Sequence, residues 1–289
     1  MPWLAPRTIA LAGDTFLTHF LGTLAEQLDD PAEDRNRIVR ETLAQLLHAA
    51  SYTELEERAP LAALALDPRN VLFEAERYVV TDQLRFARVK PLLWLWKNLD
   101  LTPLGQSVES GLRIRRMLAE RIFARTGKNL VIFQNVEVSV GYNLEVGDDV
   151  TLHRGVFIDD IGGVKLNDGA SLSDYVNVYS HTHSVLESPD VTLKETVIGR
   201  GVRVAYHATV LAGTVLSDDS MMGAMALVTR EFEPHVIGLG IPAKARIWKE
   251  RAGDPRFETL TVDARTHPHA AEVRVNPEYA VSEKVPSSD

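Results

Sequence analysis

An aliphatic residue or methionine returns at every sixth position through Ile198, Val204, Val210, Leu216, Met222 and Val228. Two residues ahead of each stands a small or β-branched residue: Thr196, Val202, Ala208, Thr214, Ser220 and Ala226. The same column runs upstream through Ile132, Val138, Val146, Leu152, Ile158, Leu166, Leu172 and Val178, with steps of eight at 138→146 and 158→166. A period of six is neither the helix period nor strand alternation. On a helix such a column would turn by about 600° per step and wander around the axis. The period predicts a mainly β fold over residues 127–250, a parallel β-helix of hexapeptide repeats. Each hexad makes a short strand and a corner, and three hexads close one coil. The repeating aliphatic points inward. So does the residue two places earlier, where a bulky side chain would overfill the interior.

The irregular steps carry the functional signal. With three hexads per coil, Val138, Ile158 and Val178 form one column at intervals of 20 residues. Two extra residues follow Val138, two follow Ile158, and 14 lie between Val178 and Ile198. All three insertions therefore leave the same edge and stack. The longest, 180–195, holds His181-Thr182-His183 together with Glu187, Pro189, Asp190 and Glu195. Coils are spaced about 4.8 Å apart, so Asp159 and Asp160 are expected about one coil from His181 and His183. Imidazoles beside carboxylates at one edge make a candidate site.

Residues 1–126 read as an α-helical N-terminal region. Phe16, Phe20, Leu24 and Leu28 recur every four residues after Asp14, an N-cap. Ile38, Val39, Thr42, Leu43, Leu46 and Leu47 give a second stripe, opening after Asp29-Asp30-Pro31 and closing near Ser51. Residues 71–88 and 106–125 are read as further helices, separated around Pro91 and Pro103. The run Lys90-Pro-Leu-Leu-Trp-Leu-Trp-Lys97 fits buried core or a subunit contact better than a lipid surface. Arg113, Arg115, Arg116, Arg121 and Arg125 are expected on a solvated helix face, with an anion site as the alternative. Past the repeats, glycines and Pro242 release the chain from the prism. The polar segment 251–289 is expected to be an extended or partly disordered tail.

Composition narrows the function classes. The net charge of −9 over 289 residues argues against a nucleic-acid binder. The absence of cysteine removes disulfides and a thiol nucleophile. No apolar run approaches about 18 residues, so no membrane span is expected. The N-terminal sequence lacks a signal-peptide pattern, which leaves a cytoplasmic location as the expectation.

Five motifs converge on one family: Gly141-Tyr-Asn-Leu-Glu-Val-Gly147, Val178-Tyr-Ser-His-Thr-His183, Thr196-Val-Ile-Gly199, Ala226-Leu-Val-Thr-Arg230 and Gly240-Ile-Pro-Ala-Lys244. In their order and spacing, this stretch resembles the hexapeptide-repeat acyltransferases, most closely the maltose and galactoside O-acetyltransferase branch. The resemblance implies a left-handed β-helix, a homotrimer with sites between subunits, and acetyl-CoA as donor. It implies a small, sugar-like hydroxyl acceptor and no metal. The family's catalytic histidine matches His183, a general base acting without an acyl-enzyme. Asp160 matches the acceptor-binding acid, His153 replaces an asparagine near the acceptor, and His181 is an accessory residue. Ala205, Tyr206, Ala224 and Thr229 match the CoA path, with Arg230 and Lys244 near the phosphates. Two other classes were weighed. A zinc enzyme of the carbonic-anhydrase kind shares this fold but needs two histidines five apart on one coil, which His181 and His183 are not; His153 and His207 do not restore the pattern. An inactive trimeric scaffold, binding a partner through its helical part, is the other.

Overall fold

A computed structural model describes residues 14–184, 186 and 191–249. The expected tail at 251–289 lies outside the described residues. The described helical and β-helical segments up to Ile247 fall in one compact unit.

Among the described residues seven α-helices precede the repeats: α1 (Asp14–Asp29), α2 (Arg35–His48), α3 (Tyr52–Arg58), α4 (Pro60–Leu66), α5 (Gln83–Leu99), α6 (Pro103–Gln106) and α7 (Val108–Ile122). The first two follow their apolar stripes and bury Leu24, Leu28, Ile38, Val39 and Leu43. The Asp34 side chain caps α2 by accepting from the backbone N–H of Asn36 at 2.9 Å. A capping box between Ser51 and Glu54 opens α3.

Two expectations about this region are corrected. No α-helix covers 71–82, where the chain makes only a 3₁₀ turn at Glu74–Arg77. Helix α5 starts at Gln83, capped by Asp82, and runs straight through Pro91. Phe86, Val89, Leu92, Leu93, Leu95, Trp96 and Leu99 are all buried. That burial outweighs the cost of a proline inside a helix, about 3 kcal/mol. The Lys90–Lys97 run is thus core. The second correction is Arg115, expected on a solvated face and in fact 1% exposed. It forms an ion pair with Asp100 and donates to the Gly105 carbonyl at 2.6 Å. Its neighbours Arg113 and Arg121 pair with Asp14 and Asp29, tying α7 to α1.

From Val131 the chain winds as a parallel β-solenoid of about five turns. Its strands are mostly two residues long and lie on three faces. One face stacks Leu144–Val146, Val164–Leu166, Thr196–Ile198 and Val215–Leu216. The second runs from Val131–Ile132 through Thr151–Leu152, Ser171–Leu172, Arg203–Val204 and Met221–Met222 to Val236–Leu239. The third stacks Glu137–Val138, Phe157–Ile158, Asn177–Val178, Thr209–Val210 and Leu227–Val228. The aliphatic column is the interior, from Ile132 at 1% exposure to Val228 at 0%. The small column is buried with it: Thr196, Val202, Ala208, Thr214, Ser220 and Ala226.

In the strands, first-coil N–H groups donate to second-coil carbonyls, as Val131 does to Val150 and Glu137 to Val156. The residues between them turn the other way, and the carbonyls of Ile132 and Val136 point toward the helical region. Trp96 Nε1 donates to the Val136 carbonyl at 2.7 Å, and Arg115 Nη1 to that of Ile132 at 3.4 Å. Asp100 accepts from the backbone N–H of Asn135 at 2.8 Å.

Arg115→Ala should destabilise the chain by about 3–5 kcal/mol, because it strands the Asp100 carboxylate against the first coil. Urea unfolding measures this; a loss below about 1 kcal/mol would mean the pair is dispensable.

Candidate active site

The insertions stack as their spacing requires. Val138 pairs with Ile158 and Ile158 with Val178, so the residues that follow them leave one edge. The long insertion returns on itself as a hairpin, His181–Thr182 antiparallel to Thr192–Leu193. Its residues 185 and 187–190, including Glu187, Pro189 and Asp190, lie outside the described residues.

An insertion removes backbone N–H groups from the coil-to-coil ladder, and buried donors need other acceptors. Two adjacent carboxylates supply them in opposite directions. Asp160 serves the coil before it, accepting from Val140 at 2.8 Å and Asn143 at 3.2 Å. Asp159 serves the coil after it, accepting from Ser180 at 3.1 Å and His181 at 3.2 Å. The Ser180 hydroxyl donates back to the Asp159 carbonyl at 2.6 Å and accepts from Gly162 N–H at 2.8 Å. A side chain at Gly162 would meet the Ser180 carbonyl at 2.0 Å, so only glycine permits this approach.

Asp159 does more than cap. Its Oδ2 lies 2.5 Å from His181 Nδ1, and the residue is 1% exposed. With Nδ1 donating to the carboxylate, Nε2 is left as the acceptor. The His183 ring stands edge-on to that of His181, centroids 5.1 Å apart. On the other side, Tyr78 from the helical region lies 5.7 Å from the His181 ring. All four residues line a cavity of about 860 Å³ between the loop edge and the helical region.

Asp160 is corrected as an acceptor-binding residue. It is 0% exposed and does not line the cavity, and its two carboxylate oxygens are taken up by the backbone N–H groups of Val140 and Asn143. Burial pushes its pKa up to about 6, against the backbone donors of Val140, Gly141 and Asn143, which pull it down. The strand Phe157–Ile158 ends before the pair, so alternation does not assign their directions. Asp159 is the acid that reaches the cavity.

The other candidates divide between two edges. Thr229 lines the cavity, and exposed Arg230 follows it on the same edge. His153, Ala205, Tyr206 and Ala224 follow strands of the second face and occupy a different corner column. There His153 is half-buried and stacked on Phe133 at 5.1 Å, and burial lowers its pKa. Lys244 is exposed at the start of the strand Lys244–Trp248. One chain thus joins His181, His183, Thr229 and Arg230 on one edge but not His153, Ala205, Tyr206 or Ala224. The cavity walls Phe73, Tyr78, Leu93 and Trp96 carry no sequence signal of a site; their spacing reads as helix core. Among the described residues no group of three or more His, Asp or Glu side chains is placed to hold a metal ion, and no helix is long and apolar enough to cross a membrane.

No model of a known protein family matches the chain. Individual proteins do. A Dictyostelium discoideum protein named as an acetyltransferase is 30% identical over 134 residues, 45% of this chain and 70% of that one. The chain belongs to the hexapeptide-repeat acetyltransferases. The galactoside O-acetyltransferase of Escherichia coli K12 is 25% identical over 134 residues, 45% of this chain and 66% of that enzyme. The chain therefore spans about two thirds of the length of these relatives. Among solved structures, the maltose O-acetyltransferase of Clostridium difficile 630 superposes with a TM-score of 0.52 at 21% identity, covering 63% of this chain and 100% of that one. A hexapeptide-repeat acetyltransferase of Vibrio cholerae, solved with acetyl-CoA, gives 0.50 at 15% identity over 64% and 100%. These two likenesses concern the fold. The 134 residues matched to these relatives are under half the chain.

The buried acid gives a pH test. The folded pKa of Asp160, about 6, lies above its ordinary 3.8, so folding takes up a proton between those values. Its contribution to stability is full below about pH 4 and is lost as the pH rises through 6. Urea unfolding of Asp160→Asn at pH 4, 5, 6 and 7 should show that fall removed relative to the parent chain. Parallel pH profiles for the two proteins would contradict the assignment.

Proposed function

We propose that this chain transfers an acetyl group from acetyl-CoA to a hydroxyl of a small acceptor at the loop edge. The observation that carries this reading is the pair of imidazoles on the cavity wall, one of them held by the buried carboxylate of Asp159 at 2.5 Å. A hydroxyl is a poor nucleophile at neutral pH, and histidine is the side chain best matched to take its proton there. The hydroxyl oxygen attacks the thioester carbonyl, the new C–O bond replaces the C–S bond, and the imidazole passes the proton to the leaving thiolate. His183 is assigned as that base, because it stands where the family motif has its catalytic histidine and it lines the cavity. His181 and Asp159 then fix the strand that carries it. The Asp159 contact favours a second reading, with His181 as the base and Asp159 setting its tautomer.

The donor assignment draws on the relative solved with acetyl-CoA. The separation of the candidates onto two edges supports a cyclic homotrimer, in which one subunit's corner carrying His153, Ala205, Tyr206 and Ala224 closes against its neighbour's histidine edge. Arg230 and Lys244 are the cations proposed for the CoA phosphates. The acceptor is a hydroxyl compound of sugar-like size or larger.

His183→Ala should lower kcat by about 10²–10⁴, measured as thiol release, while His181→Ala costs much less. The reverse order would move the base to His181. Full activity in both would remove the catalytic reading of this edge and leave the scaffold. Changing Arg230 and Lys244 together to Ala should raise the KM for acetyl-CoA and leave that for the acceptor nearly unchanged, because phosphate contacts are the same in ground and transition states. A fall in kcat at constant KM would be the wrong result for these cations. Light scattering should report a trimer at micromolar concentration; a monomer would contradict the shared site.

A further inference from the structure

The proposed reaction leaves one wall of the cavity unexplained. Phe73, Tyr78, Leu93 and Trp96 of the helical region line it together with Phe157 and Leu211 of the solenoid. Glu74 and Lys97 of the helical region line the cavity as well, and the polar groups of this side have partners: Lys97 pairs with Glu137 at 3.0 Å. The Tyr78 hydroxyl donates to Glu74 Oε1 at 2.9 Å, and Trp96 Nε1 donates to the Val136 carbonyl at 2.7 Å. Phe73 stands edge-on to Phe86 and Trp94, with ring centroids 5.8 and 6.2 Å apart. Between the paired Glu74 and Lys97 the wall offers a ligand the carbon faces of Phe73, Tyr78, Leu93 and Trp96, while His181, Thr182, His183 and Thr229 belong to the solenoid edge.

The wall is also fixed in place. Glu76 pairs with Lys90 of α5 at 2.8 Å, and the Thr81 hydroxyl donates to the Ala75 carbonyl at 2.6 Å. The Asp82 backbone N–H donates to the Tyr142 hydroxyl of the solenoid at 3.1 Å. These ties bracket Tyr78 and hold its ring beside His181.

A molecule with hydroxyls on every side would press some of them against this carbon wall and lose their hydrogen bonds to water. A volume of about 860 Å³ lies toward the upper end of the roughly 300–1,000 Å³ found for pockets that enclose whole ligands. Building on the acyl-transfer reading, we propose that the helical region supplies the acceptor-selecting wall in the same chain. Tyr78 is its specificity-determining residue, and the acceptor is an alcohol whose hydroxyl is borne on an apolar ring body. The hydroxyl end meets the histidines and the body lies against Tyr78 and Phe73.

The test compares primary alcohols that share a hydroxymethyl group and differ in what carries it: a methyl hexopyranoside, cyclohexanemethanol and naphthalenemethanol. Thiol release by the full chain should give a kcat/KM at least about tenfold higher for the two apolar alcohols, the scale expected for burying a side-chain-sized apolar group. Tyr78→Ala should remove most of that gain by raising the acceptor KM, with the KM for acetyl-CoA unchanged. Tyr78→Phe should retain it, because the hydroxyl is spent on Glu74. Equal or better rates with the hexopyranoside would overturn the proposal from the unaltered chain alone, leaving acyl transfer standing. A Tyr78→Ala effect on the KM for acetyl-CoA instead would make this the wall of the donor's pantetheine arm. Failure of all three alcohols and of other hydroxyl acceptors, with acetyl-CoA bound, would overturn the acyl-transfer reading and this proposal with it.

Discussion

Everything in this molecule depends on the dryness of the prism. Each hexad sends one aliphatic side chain and one small side chain inward, and neither position can be enlarged or charged without a partner. Thr196 meets that condition: it donates to the Tyr179 carbonyl at 2.6 Å and accepts from Gly213 at 3.0 Å. Insertions can leave only at corners, and register then stacks them. The site exists because three insertions share one corner column. Asp159 and Asp160 are the chemical consequence of those insertions, since each takes up N–H groups that the coil ladder no longer pairs.

Much of this was legible in the sequence, because period and register are properties of the chain. The six-residue column, the small residues ahead of it, the common edge of the insertions and the nearness of carboxylate to imidazole all follow from counting. The errors arose where tertiary packing overrides local pattern. Pro91 read as a helix break, yet the apolar face of α5 is buried deeply enough to carry the helix through it. Arg115 sat in a basic run that looked solvated, but Asp100 and the end of the solenoid draw it inside. The two aspartates look alike in sequence; their backbone donors separate them, Asp160 serving the coil before and Asp159 the coil after and the cavity. Tyr78 could not be found by counting at all, because it reaches His181 from about a hundred residues away along the chain.

The division of candidates between two corner columns has the same origin. A triangular coil presents three corners, and a motif scan projects all of them onto one line of sequence. His153 and His181 are 28 positions apart, yet they belong to different corners. Proximity in such a fold is decided by position within the coil before distance along the chain.

The ties from Trp96 and Arg115 to the first coil have a consequence for how the protein behaves in a crowded solution. A solenoid ends in a strand edge whose outward N–H and C=O groups have no further coil to pair with, and such an end is a template on which another chain's strand can add. Here the indole of Trp96 and the guanidinium of Arg115 occupy two of the outward carbonyls, those of Val136 and Ile132, and α7 packs on the strand Val131–Ile132. The helical region thus acts as a stopper on a structure that could otherwise seed fibres: it replaces the missing coil with side chains that cannot themselves be extended.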